Sequence, residues 1–236
     1  IRREICLTLE QMGIRPESSH HEEGPGQNEI DFRYSDALTA ADNTMTFQTA
    51  VKTVCRRNGV FVDFGPKPIY DKPGNGFHIN MSVKPCENSE NLCYMIAGVL
   101  DKVIDMTAFL NPTEDSYKRF GKHKAPKYVS WSSENRSHLV RIPAAVGEYR
   151  RAELRSPDPT ANPYLAFTLM IYAALDGIKN KMDLPNPANT NLFKADSKTL
   201  SQFKKLPDSL NEAQKIAVSS DFIKQHIPSA ILNIDR

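Results

Sequence analysis

The stretch HHEEGPGQNEIDF at residues 20–32 crowds two histidines and four acids around a Gly-Pro-Gly turn at 24–26. Glycine reaches positive φ and proline presets φ at about −65°, so such a turn folds the chain back on itself. Glu22 and Glu29 are then expected on neighbouring stretches of backbone, where both can aim at one cation. Carboxylate ligands of this kind suit Mg²⁺ or Mn²⁺. Taken alone, the stretch is more often a solvated acidic turn.

The composition is that of a globular protein. The chain has 236 residues, of which 40% are hydrophobic and 25% charged, with a net charge of +2. This balance favours neither nucleic acid nor a membrane surface as a partner. The sequence contains no run of about 18 apolar residues, so no membrane span is predicted. The four cysteines form no CxxC pair, so we expect reduced, mostly buried thiols and a cytoplasmic protein.

Apolar periodicity predicts several helices and shorter strands. The helices are expected at 1–12, 37–58, 91–109 and 162–180, with two or three short helices between 206 and 234. The strands are expected at 28–34, 60–64, 77–83 and 150–155. Strands and helices do not alternate regularly, which predicts an α+β fold in which a curved antiparallel sheet carries the metal ligands and long helices back it. We find no internal repeat, so one domain is the simplest count.

Candidate site residues continue beyond the opening stretch. In the strand at 77–83, His78, Asn80 and Ser82 share one face, and a glycine-rich loop precedes it. Glycine lets backbone approach a ligand closely, although such a polar face more often meets solvent. Arginine, which suits carboxylate and phosphate, recurs downstream at Arg119, Arg136, Arg141, Arg151 and Arg155. Carboxylates, histidine, a glycine loop and arginines together are typical of a phosphoryl-transfer site.

Several separated stretches together resemble the type I glutamine synthetases over essentially the whole chain. They are HHEEGPGQNEIDF (20–32), FGPKP with GNGFH (64–78), NPTEDSYKRF (111–120), NRSHLVRIP (135–143), RAELRSPDPTANPYLAF (151–167) and LPDSLNEA (206–213). The resemblance implies a glutamine synthetase/guanido kinase-like catalytic domain over residues 1–236. It implies a ligase in which ATP phosphorylates the glutamate side chain and ammonia displaces the phosphate. It also implies two or more Mg²⁺ or Mn²⁺ ions per site and a homo-oligomer.

The resemblance assigns roles to individual residues. Glu22 and Glu29 resemble two ligands of one metal, and His78 and Glu153 resemble two ligands of a second. The catalytic candidates are Arg119 and Arg136; the glutamate-binding candidates are Gly74, Arg119 and Arg155; the ATP-binding candidates are Ser82, Arg136, Arg141 and Arg151. A zinc site at the paired histidines 20–21 is not expected, because no thiolate or spaced third ligand accompanies them.

Two positions depart from the family pattern. Lys124 stands where the family usually has a flap glutamate that takes a proton from ammonium, and Pro73 replaces the asparagine before the glutamate-loop glycine. The changes leave the ATP and metal positions intact but alter the glutamate and ammonium ends. Two alternatives therefore stay open: a glutamate–organic amine ligase of the same family, and a non-catalytic paralogue used for binding or assembly.

The beginning of the chain carries a further expectation. Ile1 enters a helical pattern directly, without an initiator Met, and the family has an N-terminal β domain and first catalytic strands that have no counterpart here. In the family those strands supply one more glutamate to each metal. We therefore expect the third ligand of each metal upstream of Ile1, and negligible synthetase activity from this chain alone.

Overall fold

The computed structural model describes residues 1–84, 89–133, 135–144 and 149–232. Cys86 and the end of the predicted tail, 233–234, lie outside them. The chain divides into two compact units. One contains Ile1–Phe64 and Pro68–Pro73, and the other contains Gly65–Lys67 and Gly74–Arg236. Each is described below by itself.

The first unit consists of two helices and a hairpin. Its elements are α1 (Arg2–Gln11), β1 (Pro16–His21), β2 (Asn28–Phe32) and α2 (Ala37–Arg57). The predicted helices at 1–12 and 37–58 are confirmed. Asp36 caps α2, since its Oδ1 accepts a hydrogen bond from the Thr39 amide at 3.0 Å. The core of this unit forms where Ile5 and Leu9 of α1 meet Val51 and Val54 of α2.

The strand predicted at 60–64 is wrong. This apolar segment belongs to no strand, and Phe61 is 89% exposed. Val62 and Phe64 instead pack against the core of the first unit. Alternating apolar side chains anchor a loop here as they would anchor a strand, and in the described part of the chain no neighbouring strand pairs with this segment.

The second unit combines a short sheet with helices. Its elements are β3 (Ile79–Met81), α3 (Ser89–Leu110), α4 (Glu114–Tyr117), β4 (Trp131–Ser132), β5 (Val140–Arg141), β6 (Ala152–Leu154), α5 (Pro163–Lys179), α6 (Ser197–Leu200), α7 (Leu210–Ser219), α8 (Asp221–His226) and α9 (Ser229–Leu232). The sheet order is β3-β6-β5-β4, antiparallel except for the parallel pair β4–β5. The α+β class and the long helices are confirmed. The candidate metal ligands, however, divide between the hairpin of the first unit and this sheet, whereas one sheet was expected.

Helices α3 and α5 form the centre of the second unit. A Cβ atom on Gly98 would lie 2.1 Å from the Ala173 carbonyl oxygen, and one on Gly177 would lie 2.1 Å from that of Tyr94. The two backbones therefore touch where the glycines meet. Asn162 caps α5 through its Oδ1, which accepts from the amides of the next turn.

The strands that carry candidate site residues are shorter than predicted. The strand expected at 77–83 covers Ile79–Met81, and the one expected at 150–155 covers Ala152–Leu154. They pair with each other, with Asn80 opposite Glu153. Outside the pair the backbone follows loop geometry: the Phe77 amide, for example, donates to the Pro157 carbonyl at 2.9 Å.

Two further sequence expectations concern cysteines and membranes. Cys6, Cys55 and Cys93 are free thiols, of which Cys55 is buried and the other two are half-buried. The expectation of reduced thiols stays a prediction, whereas that of mostly buried thiols holds for one of these three. Among the described residues, no helix combines the length and apolar character needed to cross a bilayer.

Candidate active site

The hairpin of the first unit brings the acidic stretch together as predicted. β1 and β2 are antiparallel, with His20 opposite Glu29. The Glu22 amide donates to the Gln27 carbonyl at 3.0 Å, closing the turn, and Gly26 takes a φ of 69° that favours glycine. Glu22 and Glu29 therefore lie on facing stretches of backbone.

A third ligand-bearing side chain joins the two glutamates. His20 Nε2 lies 3.2 Å from Glu22 Oε1 and 4.0 Å from Glu29 Oε1. One ligand atom from each residue falls within 4.8 Å of the other two. Adjacent ligands of an octahedral ion with bonds of about 2.1 Å are roughly 3 Å apart, so this set fits a small divalent cation after minor adjustment. Sequence reasoning dismissed His20; the signal it overlooked is that a hairpin register places residues 20 and 29 opposite each other.

The second unit buries a carboxylate between cationic side chains. Glu153 of β6 is 5% exposed. Its Oε2 accepts from Arg141 Nε at 2.5 Å, and its Oε1 accepts from Arg155 Nη1 at 3.0 Å. His78 Nδ1 lies 3.2 Å from the same Oε1. These predicted residues, which come from three separate motifs, therefore meet at one carboxylate.

The ionisation states in this cluster suit metal ligation. Burial opposes ionisation of Glu153, but the hydrogen bond and charge of His78 and the charges of Arg155 and Arg141 together lower its pKa to about 2. Burial lowers the pKa of His78, an effect that the bond to Glu153 only partly offsets. At neutral pH the pair is thus an ionised carboxylate and a neutral imidazole, in which Nδ1 donates to Oε1. These are the states in which both groups bind metals.

Arg119 follows α4 and lies buried beside the glycine-rich loop. It is 3% exposed, and its Nη1 donates to the Ser156 carbonyl at 3.0 Å. A Cβ atom on Gly74 would come 2.8 Å from Arg119 Cγ, and one on Gly76 would come 2.7 Å from His78 Nε2. Gly74 needs glycine, because its added Cβ would also lie 2.4 Å from the Pro66 carbonyl oxygen, whereas at Gly76 the His78 ring would have to shift. Sequence reasoning singled out Gly74 and missed Gly76.

The remaining predicted residues lie farther out. Arg136 is exposed. Burial is the largest effect that lowers the pKa of Arg155, and the charges of Arg141 and Arg136 lower it further. Arg151 Nε donates to Asn80 Oδ1 at 3.1 Å and Nη1 donates to the Tyr149 carbonyl at 3.2 Å. Ser82 is exposed just past β3. Arg151 is therefore engaged beside β3, whereas Arg141 and Arg155 bind Glu153.

The loop that carries Lys124 touches the arginine cluster. Arg155 Nη2 lies 3.4 Å from the Lys124 carbonyl oxygen. A backbone turn from Lys122 to Ala125 forms the loop, and its two central residues, His123 and Lys124, have φ values of 46° and 70°. Side chains other than glycine are uncommon in this region. The position that departs from the family pattern is thus next to the buried cluster.

Comparison with known proteins agrees with the motifs. A family model described as "Glutamine synthetase, catalytic domain" matches residues 1–234. A glutamine synthetase from Methanosarcina mazei is 43% identical over 240 residues, which are 95% of this chain and 54% of the relative. One from Staphylococcus aureus is 41% identical over 247 residues, 98% of this chain and 55% of the relative. The chain spans about half the length of these curated relatives.

Solved structures show the same likeness. A GmaS/ADP complex superposes with a TM-score of 0.86 at 29% identity and covers 97% of this chain and 56% of its own. GmaS without ligand superposes with a TM-score of 0.83 at 30% identity, covering 97% and 55%.

Proposed function

Because the chain belongs to the glutamine synthetase family, whose catalytic-domain model matches residues 1–234, we propose that the protein is a glutamate–ammonia ligase. It transfers a phosphoryl group from ATP to the glutamate side chain, and ammonia then displaces phosphate from the γ-glutamyl phosphate to give glutamine. The observation that carries this proposal is the buried cluster of Glu153, His78, Arg141 and Arg155. Its members come from the motifs that resemble this family.

The arginines provide charge for an anionic reaction. Arg119 has a buried Nε that donates to no group in the described structure, so it retains a donor for an incoming carboxylate. Burial lowers its pKa to about 10, against the raising effect of Asp158, and it stays charged at neutral pH. We assign Arg119 and Arg155 to glutamate together with the Gly74 loop. Arg136 faces the transferring phosphoryl group, and fixed charges of this kind stabilise a migrating phosphoryl group without reorganisation.

We assign the nucleotide and metal positions as the family pattern suggests. Arg141, Arg151 and Ser82 contact ATP. Glu22 and Glu29, with His20 beside them, hold one Mg²⁺ or Mn²⁺, and His78 and Glu153 hold another. When bound, such ions would neutralise negative charge on the phosphate oxygens. The donor set fits hard cations, because it offers carboxylate oxygens and neutral imidazole and no thiolate.

The setting of the enzyme follows from the same assignment. We propose a homo-oligomer in the cytoplasm. The free thiols of Cys6, Cys55 and Cys93 support a reducing compartment.

Release of phosphate and formation of glutamine test the proposal. The full-length protein should release phosphate only when glutamate, ATP, Mg²⁺ and ammonia are all present. Glu153→Gln removes the charge at the centre of the cluster and should lower turnover at least about 100-fold. Lys179→Ala, at the exposed end of α5, is the control and should leave turnover within about twofold. Turnover without glutamate, or an unimpaired Glu153→Gln variant, would contradict the proposal.

An organic amine is the second candidate acceptor. The observation that favours it is the contact between the Lys124 loop and Arg155, because a lysine there does not attract ammonium as a glutamate would. The 41–43% identity to proteins named glutamine synthetase favours ammonia. Turnover with ammonia, methylamine and ethylamine at equal concentrations separates the two, and a clear preference for an alkylamine would establish the second.

A further inference from the structure

Asp158 is a buried carboxylate that the structure holds at both oxygens. It is 0% exposed. Its Oδ1 accepts from the Thr160 amide at 3.0 Å and from the Thr160 hydroxyl, and its Oδ2 accepts from Asn111 Nδ2 at 2.9 Å. Its own amide donates to the Leu110 carbonyl at 3.2 Å. The negative charge is therefore fixed in place.

This fixed charge faces the guanidinium of Arg119 without bonding to it. Asp158 Oδ2 lies 3.7 Å from Arg119 Nη1, which is too far for a good hydrogen bond, so the attraction is Coulombic. Arg119 Nη1 donates instead to the Ser156 carbonyl at 3.0 Å. Asn111 Nδ2 donates to that same carbonyl at 2.9 Å. Asn111 thus fixes both the Asp158 carboxylate and the Ser156 carbonyl oxygen, which together hold the Nη1 end of the Arg119 guanidinium.

The other edge of the guanidinium is left for a ligand. Arg119 Nε is buried and donates to no group in the described part of the chain. A buried unpaired donor is unfavourable, so it persists where another interaction compensates for it. A guanidinium that is bonded at Nη1 and unpaired at Nε keeps a donor that a carboxylate can satisfy.

We infer that Asp158 is a positioning residue for Arg119, holding its guanidinium at the Nη1 end so that the unpaired Nε can donate to the carboxylate of the substrate. The identity of that carboxylate as glutamate rests on the proposed function. The placement of Arg119 by Asp158 rests on the geometry alone. Asp158 lies in the SPDPTANP stretch (156–163), which also contains prolines and the asparagine that caps α5.

A charge-specific role predicts an effect on one substrate. Asp158→Asn keeps the shape and the acceptor for Thr160 but removes the charge, and it sets an amide against Asn111 Nδ2. In the full-length enzyme we expect kcat/KM for glutamate to fall about 10- to 100-fold, mainly through KM, because small misplacements of a binding group have effects of that size. The KM for ATP should stay within about twofold.

Two further variants separate positioning from folding. Thr160→Val keeps the charge and removes one hydroxyl, so thermal stability should fall while the KM for glutamate changes less than about twofold. Asn111→Ala keeps the charge but frees Oδ2, and should raise the KM for glutamate in the same direction as Asp158→Asn. Equal increases in the KM for glutamate and the KM for ATP would overturn the inference. So would an unchanged KM for glutamate in every variant.

A crystal structure of the Asp158→Asn protein gives a readout that does not depend on turnover. Arg119 should lose its bond to the Ser156 carbonyl or move by more than about 0.5 Å, the tolerance of a well-supported site. A guanidinium that keeps both its place and its bond contradicts the positioning role even in an active enzyme. If the wild-type protein consumes no glutamate, the proposed function fails, and this measurement still decides the role of Asp158.

Discussion

Gly74 lies so close to Arg119 that a Cβ atom on the glycine would stand 2.8 Å from Arg119 Cγ and 2.4 Å from the Pro66 carbonyl oxygen. The contact with a backbone oxygen cannot be relieved by rotating a side chain. We predict that Gly74→Ala displaces the loop or Arg119 and lowers kcat/KM for glutamate about 100-fold. Steady-state kinetics with varied glutamate at saturating ATP measure this.

Gly13→Ala is the control for the general cost of replacing a glycine. Gly13 has a φ of 83° and nothing within 4 Å of its added Cβ, so alanine there costs backbone strain of about 1–2 kcal/mol without a clash. It should lower the thermal midpoint and leave the kinetics unchanged. A Gly74→Ala enzyme with normal glutamate kinetics would show that this close contact is unimportant.

The local signals in the sequence were strong enough to predict the long helices. Asp36 and Asn162 are capping residues directly before apolar periodic runs, and both cap in the structure. The Gly-Pro-Gly turn likewise determines the hairpin. In each case the deciding interaction lies within a few residues of chain, where residue type and spacing are informative.

Non-local contacts account for what sequence reasoning did not predict. The segment 60–64 has the composition of a strand, but a strand also needs a partner, and partners are not visible in a local pattern. Asp158 matters because of Arg119, which is far from it in the chain. The acidic stretch was assigned one ligand from each side of the turn, Glu22 and Glu29, and His20 became visible only through the pairing register.

The hairpin set predicts metal binding that depends on both glutamates. We expect Glu22→Gln and Glu29→Gln each to weaken Mn²⁺ binding to this chain at least tenfold, because each removes a charged oxygen ligand. His20→Ala should weaken Mn²⁺ binding more than Mg²⁺ binding, since imidazole suits transition metals better. Calorimetric titration with each ion provides the measurement.

Glu23→Gln is the matched control for the hairpin. Glu23 lies in the same stretch and is exposed, but it does not belong to the group formed by His20, Glu22 and Glu29. The affinity of the Glu23→Gln variant for Mn²⁺ should stay within about twofold of the wild-type value. An equal loss in all of these variants would indicate general attraction by negative charge instead of a defined site.

The contact between α3 and α5 predicts an unusual response to alanine. Gly to Ala inside a helix ordinarily stabilises it by about 1 kcal/mol. At Gly98 the added Cβ would lie 2.1 Å from the Ala173 carbonyl oxygen, which forces the helices apart. We expect Gly98→Ala to lower the free energy of unfolding by about 1–3 kcal/mol, the usual cost of overpacking, as measured by urea denaturation.

Thr49→Ala provides the comparison for the helix prediction. Thr49 is on the exposed part of α2, where alanine gains helix propensity without a packing change. The free energy of unfolding should rise slightly or stay constant. Stabilisation by Gly98→Ala would mean that the two helices have room to separate without losing their packing.

His138 makes the stability of the second unit depend on pH. The residue is 0% exposed, with Nδ1 2.9 Å from Ser130 Oγ and Nε2 3.0 Å from the Thr190 carbonyl oxygen. Burial lowers its pKa below the ordinary value of 6.5, while the bond to Thr190 acts in the opposite direction. The unfolded chain therefore binds a proton more readily than the folded chain.

The sign of the pH effect follows from this difference. The contribution of His138 is complete above about pH 6.5 and is lost as the pH falls from there towards the folded-state pKa, by at most about 1.4 kcal/mol per pH unit. Urea unfolding of the wild-type chain at pH 7.5 and 5.5 should thus show a loss that is smaller in His138→Gln, which cannot titrate. The exposed His21→Gln should retain the wild-type difference. If His138→Gln kept the same difference between the two pH values, the pH dependence would originate elsewhere, and the bond from Nε2 to Thr190 would be strong enough to offset burial.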